Sequence, residues 1–185
     1  MTTTRVVRWR DWTGAGIEHL VLSEDDDGIV AESALLGTTE SGTVFAVRYR
    51  IGCDANWRVR ELGISIVGDA RRFELVGDGT GTWRNDTGMP MPEFAGAIDV
   101  DLAVTPFTNT LPIRRLGLAV GASAHIIVVY VTFPDLAVSA DPQRYTRLAE
   151  RTYRFESLDG GFVRDIEIDE HGLVVTYPGL FRRDL

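Results

Sequence analysis

Two aspartates separated by a single valine, Asp99 and Asp101, are the residues of this chain best spaced to do chemistry. On an extended strand, residues i and i+2 project to one face about 7 Å apart. Carboxylates paired at that distance suit general acid–base work, a metal ion or hydrogen bonds to sugar hydroxyls. The run that follows, "TPFTNTLPIRRL" at 105–116, adds Thr108, Asn109, Arg114 and Arg115. Thr and Asn side chains bond their own backbone in rigid turns, or present a polar rim to a ligand. The two arginines can pair with the aspartates or donate to an anionic group. The plainer reading is a self-neutralising strand–turn–arginine clamp that fixes the fold, with one carboxylate satisfying backbone donors of the turn. It outweighs the catalytic one for each residue, so no catalytic residue is assigned. No histidine lies nearby in sequence, and no metal ligand is assigned either.

The other chemical candidates are weaker. "GASAH" at 121–125 has a nucleophile-elbow outline around Ser123 but lacks the final glycine, and a strand-like run follows it. "SEDDDG" at 23–28 begins like a calcium loop, yet Ala34 stands where a bidentate glutamate is needed. It reads as an acidic hairpin turn. "GDGTG" at 77–81 precedes a strand and has no lysine, so it does not suit a phosphate cradle. His19, His125 and His171 are scattered. Cys53 reads as a small buried residue. Trp9, Trp12, Trp57 and Trp83 read as core, with lining of an apolar cavity as the alternative.

The elements that must position these residues are strands. In "TVFAVRYRI", Thr43, Phe45, Val47, Tyr49 and Ile51 share one face while Arg48 and Arg50 take the other. "FVRDIEIDEHGLVVTY" repeats the pattern, and "DDDG", "ESG", "GDGTG", "LDGG" and "EHG" mark the turns. In "NWRVRELGISIV" the parity changes between Trp57/Val59 and Leu62/Ile64/Ile66, which points to a bulge or sharp bend near Glu61–Gly63, or else to a strand covered on both faces. "PQRYTRLAERTY" is the one helix-compatible stretch. Tyr49-Arg50 and "VRELGI" at 59–64 are echoed, at identical spacing, by Tyr153-Arg154 and "VRDIEI" at 163–168; "TWRND" at 82–86 is set against "LFRRD" at 180–184. Together they outline an internal repeat, roughly 40–90 and 145–185, with a cleft between two pseudo-symmetric halves. The fold class expected is all-β: one curved, roll- or barrel-like antiparallel domain of many short strands over residues 1–185.

Composition narrows the function classes. The 185 residues carry 19 basic groups against 27 acidic ones, a net charge of −8, which repels phosphate backbones and anionic membranes. Nucleic acid is therefore not an expected partner. All the basic residues are arginine, so Schiff-base and phosphate-loop lysine chemistry is excluded. One cysteine cannot form an intrachain disulfide. "MTTTRVVRWRDW" has no apolar signal core, and the expected address is the cytoplasm. Residues 116–134 run without formal charge but are broken by Gly117, Gly121 and Ser123, which fits two buried strands better than a membrane span. No cofactor is expected.

Long motifs carry a family resemblance over most of the chain. "YRIGCDANWRVR", "WRND" with "PEFAGAIDVDL", "TPFTNTLPIRRL", "QRYTRLAERTYRFES" and "DEHGLVVTYPGLFRRDL" together resemble the bacterial putative glycolipid-binding family, long catalogued as a domain of unknown function. The chain departs from the expected pattern in having Ala97 before the "DVD" motif, and it shows no lipoprotein signal. The resemblance implies a β-roll likened to lipoprotein carriers that hold acyl chains in an apolar cavity. It implies a lipid or glycolipid as partner, gripped by Asp99 and Asp101 through hydroxyls and by Arg114 or Arg115 through an anionic group. The alternatives are a hydrolase or isomerase using the Asp99/Asp101 pair, which requires an exposed carboxylate in a pocket, and a protein-interaction module pairing through an open strand edge.

Overall fold

The computed structural model describes residues 1–39 and 41–184. Among these residues, alternation of apolar and polar side chains turns into fourteen strands in one curved, unclosed sheet. The first seven are β1 (Thr3–Asp11), β2 (Ile17–Glu24), β3 (Ile29–Thr38), β4 (Val44–Cys53), β5 (Val59–Ile66), β6 (Arg72–Gly77) and β7 (Trp83–Asn85). The second seven are β8 (Asp99–Leu102), β9 (Ser123–Val131), β10 (Val138–Ala149), β11 (Thr152–Ser157), β12 (Val163–Ile168), β13 (Val174–Tyr177) and β14 (Phe181–Asp184). Each half meanders outward, and the halves meet where β1 pairs antiparallel with β14. The sole parallel pairing among the described residues is β8 on β9, since the helix α1 (Thr110–Leu116) intervenes between them. The echoed motifs fall on β4–β5 and β11–β12, the fourth and fifth strands of each half.

Curvature brings distant strands onto one core. Trp9, Leu20, Tyr49, Leu62 and Leu75 from the first half share a buried cluster with Val100, Leu102, Val129 and Val131 from the second. Tyr145, Tyr153, Phe155, Ile166 and Tyr177 form a second cluster. The parity change on β5 is resolved by a bulge: Gly52 pairs with Glu61 and Cys53 with Val59, leaving Arg60 unpaired. The extra residue lies just before the expected position and turns both Val59 and Leu62 inward. On the outer face arginines meet acids of neighbouring strands, as in Arg154–Asp165 at 2.8 Å and Arg50 with Glu61; Arg5–Glu24, at 2.7 Å, pairs across β1 and β2 on the inward face.

Three segments differ from the sequence expectation. "PQRYTR" lies within β10, because tertiary pairing with β9 and β11 overrides its helical propensity. Residues 116–134 give the end of α1, a loop and one strand, not two strands. Among the described residues no helix is long and apolar enough to cross a membrane. The presumed turn at 105–116 contains the helix itself. A 3-10 turn at Phe107–Asn109 leads into α1, Pro112 sits in the first turn where its missing N–H costs nothing, and Gly117 ends the helix at φ 54°. Every residue from Thr105 to Ile113 is buried. Leu111 belongs to the first core cluster and Ile113 to the second, so this segment plugs the inside of the curved sheet and joins its two cores.

Candidate functional site

The "DVD" aspartates face inward onto the plug. Asp99 is fully buried, and Arg115 grips it with Nε at 3.0 Å from Oδ1 and Nη2 at 2.6 Å from Oδ2. Burial pushes the Asp99 carboxyl above its ordinary range, and the Arg115 guanidinium pulls it back. Asp101 has no arginine. Its oxygens accept hydrogen bonds from Thr108 Oγ1 at 3.0 Å and Gln143 Nε2 at 2.8 Å, and burial raises its pKa too. The turn's backbone donors are not what satisfies it: Thr108 Oγ1 instead accepts from the Leu102 N–H at 3.3 Å. Asn109 accepts from the Tyr145 hydroxyl at 2.9 Å and donates to the Pro106 carbonyl at 3.2 Å. Neither aspartate lines any of the three clefts described for the surface.

The two arginines part company. Arg114 lies over the Trp57 ring at 4.6 Å, donates to the His171 carbonyl at 2.8 Å and stands 3.6 Å from Glu24. Arg114 and Arg115 both line a polar cleft of about 710 Å³, together with Asn56, Trp57, Arg58 and Thr80. Trp57 adopts φ 63° in the tight turn after β4, where Asp54 Oδ1 accepts the N–H groups of Asn56 and Arg58.

The apolar cleft lies elsewhere. It measures about 640 Å³ and is walled by Trp9, Trp12, Leu35, Leu36, Phe45 and Phe133. Trp12, Leu36 and Leu180 stand exposed at its mouth. Phe45 sits at the start of β4 while the arginine cleft begins just past its end, so the two clefts lie at opposite ends of the strands, roughly 30 Å apart along β4. The structure therefore does not bring Asp99, Asp101, Thr108, Asn109, Arg114 and Arg115 together around the apolar cavity.

What the structure places in the apolar cleft is Glu18, which sequence reading passed over. It sits on β2 between Trp9 of β1 and Leu35 of β3 and is only 3% exposed. Its Oε1 accepts the Tyr49 hydroxyl at 2.5 Å and the Ser33 hydroxyl at 2.7 Å; Thr105 Oγ1 lies 3.2 Å from the Tyr49 oxygen. Its Oε2 is buried with no hydrogen-bond partner. Burial raises the Glu18 pKa against the pull of those hydroxyls, and it drives the Tyr49 phenol further from ionisation. The sequence held one signal: Glu18 shares strand parity with the buried Leu20 and Leu22, so an acid stands on the inward face.

The remaining candidates resolve into structure. Ser123 is an exposed strand residue 2.8 Å from Thr146 Oγ1. "SEDDDG" makes the β2–β3 turn, where Asp25 Oδ1 accepts the N–H groups of Asp27 and Gly28. Cys53 is buried, and burial pushes its thiol pKa up. Among the described residues no group of three His, Cys, Asp or Glu could hold a metal ion. Trp9 and Trp83 are core, their indole N–H groups donating to the Val174 and Ala97 carbonyls. The edge strand β7 is only three residues long and pairs at Arg84 with Pro90.

A family model described as "Putative glycolipid-binding" matches residues 6–183. Among solved structures, the crystal structure of a DUF1089 family protein from Pseudomonas aeruginosa is 40% identical, with a TM-score of 0.83 over 92% of each chain. No curated protein matches the chain.

Proposed function

The chain belongs to the putative glycolipid-binding family, which spans it from residue 6 to residue 183, and from that premise we propose that it is a non-enzymatic carrier of an amphipathic lipid or glycolipid. The observation that carries this reading is the apolar cleft, whose volume of about 640 Å³ falls within the range of small-molecule sites. Its aromatic and aliphatic walls suit an acyl chain, and each methylene buried there contributes about 0.8 kcal/mol before the costs of association. The exposed Trp12, Leu36 and Leu180 extend the apolar surface to the rim. The head group would remain at the mouth, in solvent. Arg114 and Arg115, in the polar cleft at the far end of the strands, would meet an anionic group only on a second ligand.

Chemistry by the Asp99/Asp101 pair finds no support: Asp99 is neutralised by Arg115, and neither carboxylate opens to a cleft. The test is uptake by delipidated protein of an alkyl glucoside and a monoacylglycerol, read by native mass spectrometry and tryptophan fluorescence. One molecule per chain is expected. Leu36→Arg, a change on an exposed wall residue, should abolish uptake at unchanged melting temperature. Uptake of neither probe, or undiminished uptake by Leu36→Arg, would overturn the proposal.

A further inference from the structure

We propose that Glu18 is the hydrogen-bond donor that the apolar cleft offers to a neutral carbonyl, which makes the ligand class acyl esters and amides rather than free fatty-acid carboxylates. This inference rests on the carrier reading and narrows it. The geometry divides the carboxyl group into two unlike oxygens. Oε1 takes two hydroxyl donors, from Tyr49 and Ser33, as a carbonyl oxygen would. Oε2 is equally buried and meets no donor. Among the described residues no arginine or histidine forms an ion pair with either oxygen. Trp9 and Leu35 flank the residue across the sheet.

An ionised carboxylate in this setting would leave one oxygen without a partner in an apolar wall, which is the costly arrangement. A carboxylic acid solves half the problem: Oε1 accepts, and Oε2 carries the proton. That Oε2–H then lacks an acceptor within the protein. Glu18 lines the cleft while its Oε2 is closed off in this structure, so a turn of the side chain toward the cleft would bring the proton to an ester or amide carbonyl a short way from an apolar chain. A free carboxylate inserted there would lack a cationic partner. Burial favours the neutral form of Glu18 in the same direction. The other ionisable group lining the cleft is Asp11, whose oxygens accept the N–H groups of Gly14, Ala15 and Gly16; Tyr49, packed against Glu18, commits its hydroxyl to it. Ser33 and Thr105, from β3 and the start of the plug, complete the surroundings with uncharged hydroxyls.

The experiment compares three probes of one chain length on the delipidated protein: monopalmitoylglycerol, palmitate and hexadecylamine. Binding is read by tryptophan fluorescence at several pH values. Monopalmitoylglycerol is neutral throughout, so any pH dependence of its binding belongs to the protein. It should bind at least tenfold more tightly than palmitate and weaken by about tenfold as Glu18 loses its proton. Glu18→Gln keeps an acceptor for Tyr49 and Ser33 and a donor for the ligand. It should retain monopalmitoylglycerol binding and abolish the pH dependence. Ser33→Ala, which leaves the Oε2 proton in place, should preserve the preference for the ester. Equal affinity for ester and palmitate, tightest binding of hexadecylamine, or a pH profile that persists in Glu18→Gln would overturn this inference while leaving the carrier reading intact. Binding of none of the probes would overturn both.

Discussion

Replacing Arg115 by Met isolates the clamp on which the central motif depends. Arg115 makes the Asp99 ion pair at 2.6 Å, with side chains 14% and 0% exposed. Methionine preserves most of the apolar stem and removes the charge. It leaves Asp99 buried without its cation, an arrangement that costs about 3–5 kcal/mol. That loss is a large part of the 5–15 kcal/mol that stabilises an ordinary domain. It also depends on pH, with a definite sign. Without Arg115, burial alone acts on Asp99, so its native pKa rises further above the unfolded value of about 3.9. Between those two values the native state holds a proton that the unfolded state has released. Stability then falls as pH rises, by about 1.4 kcal/mol per unit, until the native pKa is passed. Below the unfolded pKa both states are protonated, and only the lost arginine contacts remain. Urea unfolding at pH 4.5 and 7.5 measures the effect, with an unchanged m value marking a pure stability change. Arg115→Met should cost several kcal/mol at pH 7.5 and distinctly less at pH 4.5. The double variant Asp99→Asn with Arg115→Met should recover most of the loss. A cost below about 1 kcal/mol at pH 7.5, a cost independent of pH, or a double variant no better than the single one would refute the account.

Leu111→Ala empties a fully buried position in the plug helix and should destabilise by about 2–5 kcal/mol in thermal or chemical unfolding; a cost near zero would show that the plug is not core. Gly81→Ala should fail to reach wild-type stability, since Gly81 has φ +100° and an added Cβ would stand 2.7 Å from Gly96 Cα; an unchanged unfolding midpoint would contradict that close approach. Cys53, buried and with its thiol pushed up by burial, should resist a thiol reagent in the native protein and react once unfolded; rapid labelling of native protein would place it at the surface.

Strand content was legible in the sequence because a half-buried strand writes its own period. "TVFAVRYRI" became β4 with Val47, Tyr49 and Ile51 buried and Arg48 and Arg50 outside. The parity break on β5 marked the irregularity, and the pairing of Gly52 with Glu61 and Cys53 with Val59 decided for a bulge over a strand covered on both faces. The acid–arginine clamp was legible for Asp99 and Arg115, but Asp101 found its partners in Thr108 and in Gln143, a residue 42 positions away. The helix at Thr110–Leu116 was hidden because seven residues with a proline give almost no helical period, and its buried residues, Thr110 to Ile113, run consecutively and not at helical spacing.

By itself, then, the sequence determined the all-β class, the hairpin turns, the parity break on β5 and the absence of lysine chemistry, because these follow from side-chain type and short-range spacing. The tertiary structure alone decided which acid faces a cleft. Glu18 meets Ser33 through the neighbouring strand and Tyr49 through the next, and Tyr49 in turn meets Thr105 only because the sheet curves back on its plug. Curvature sums the twist of many strands, and no local pattern encodes where that sum brings two distant residues together.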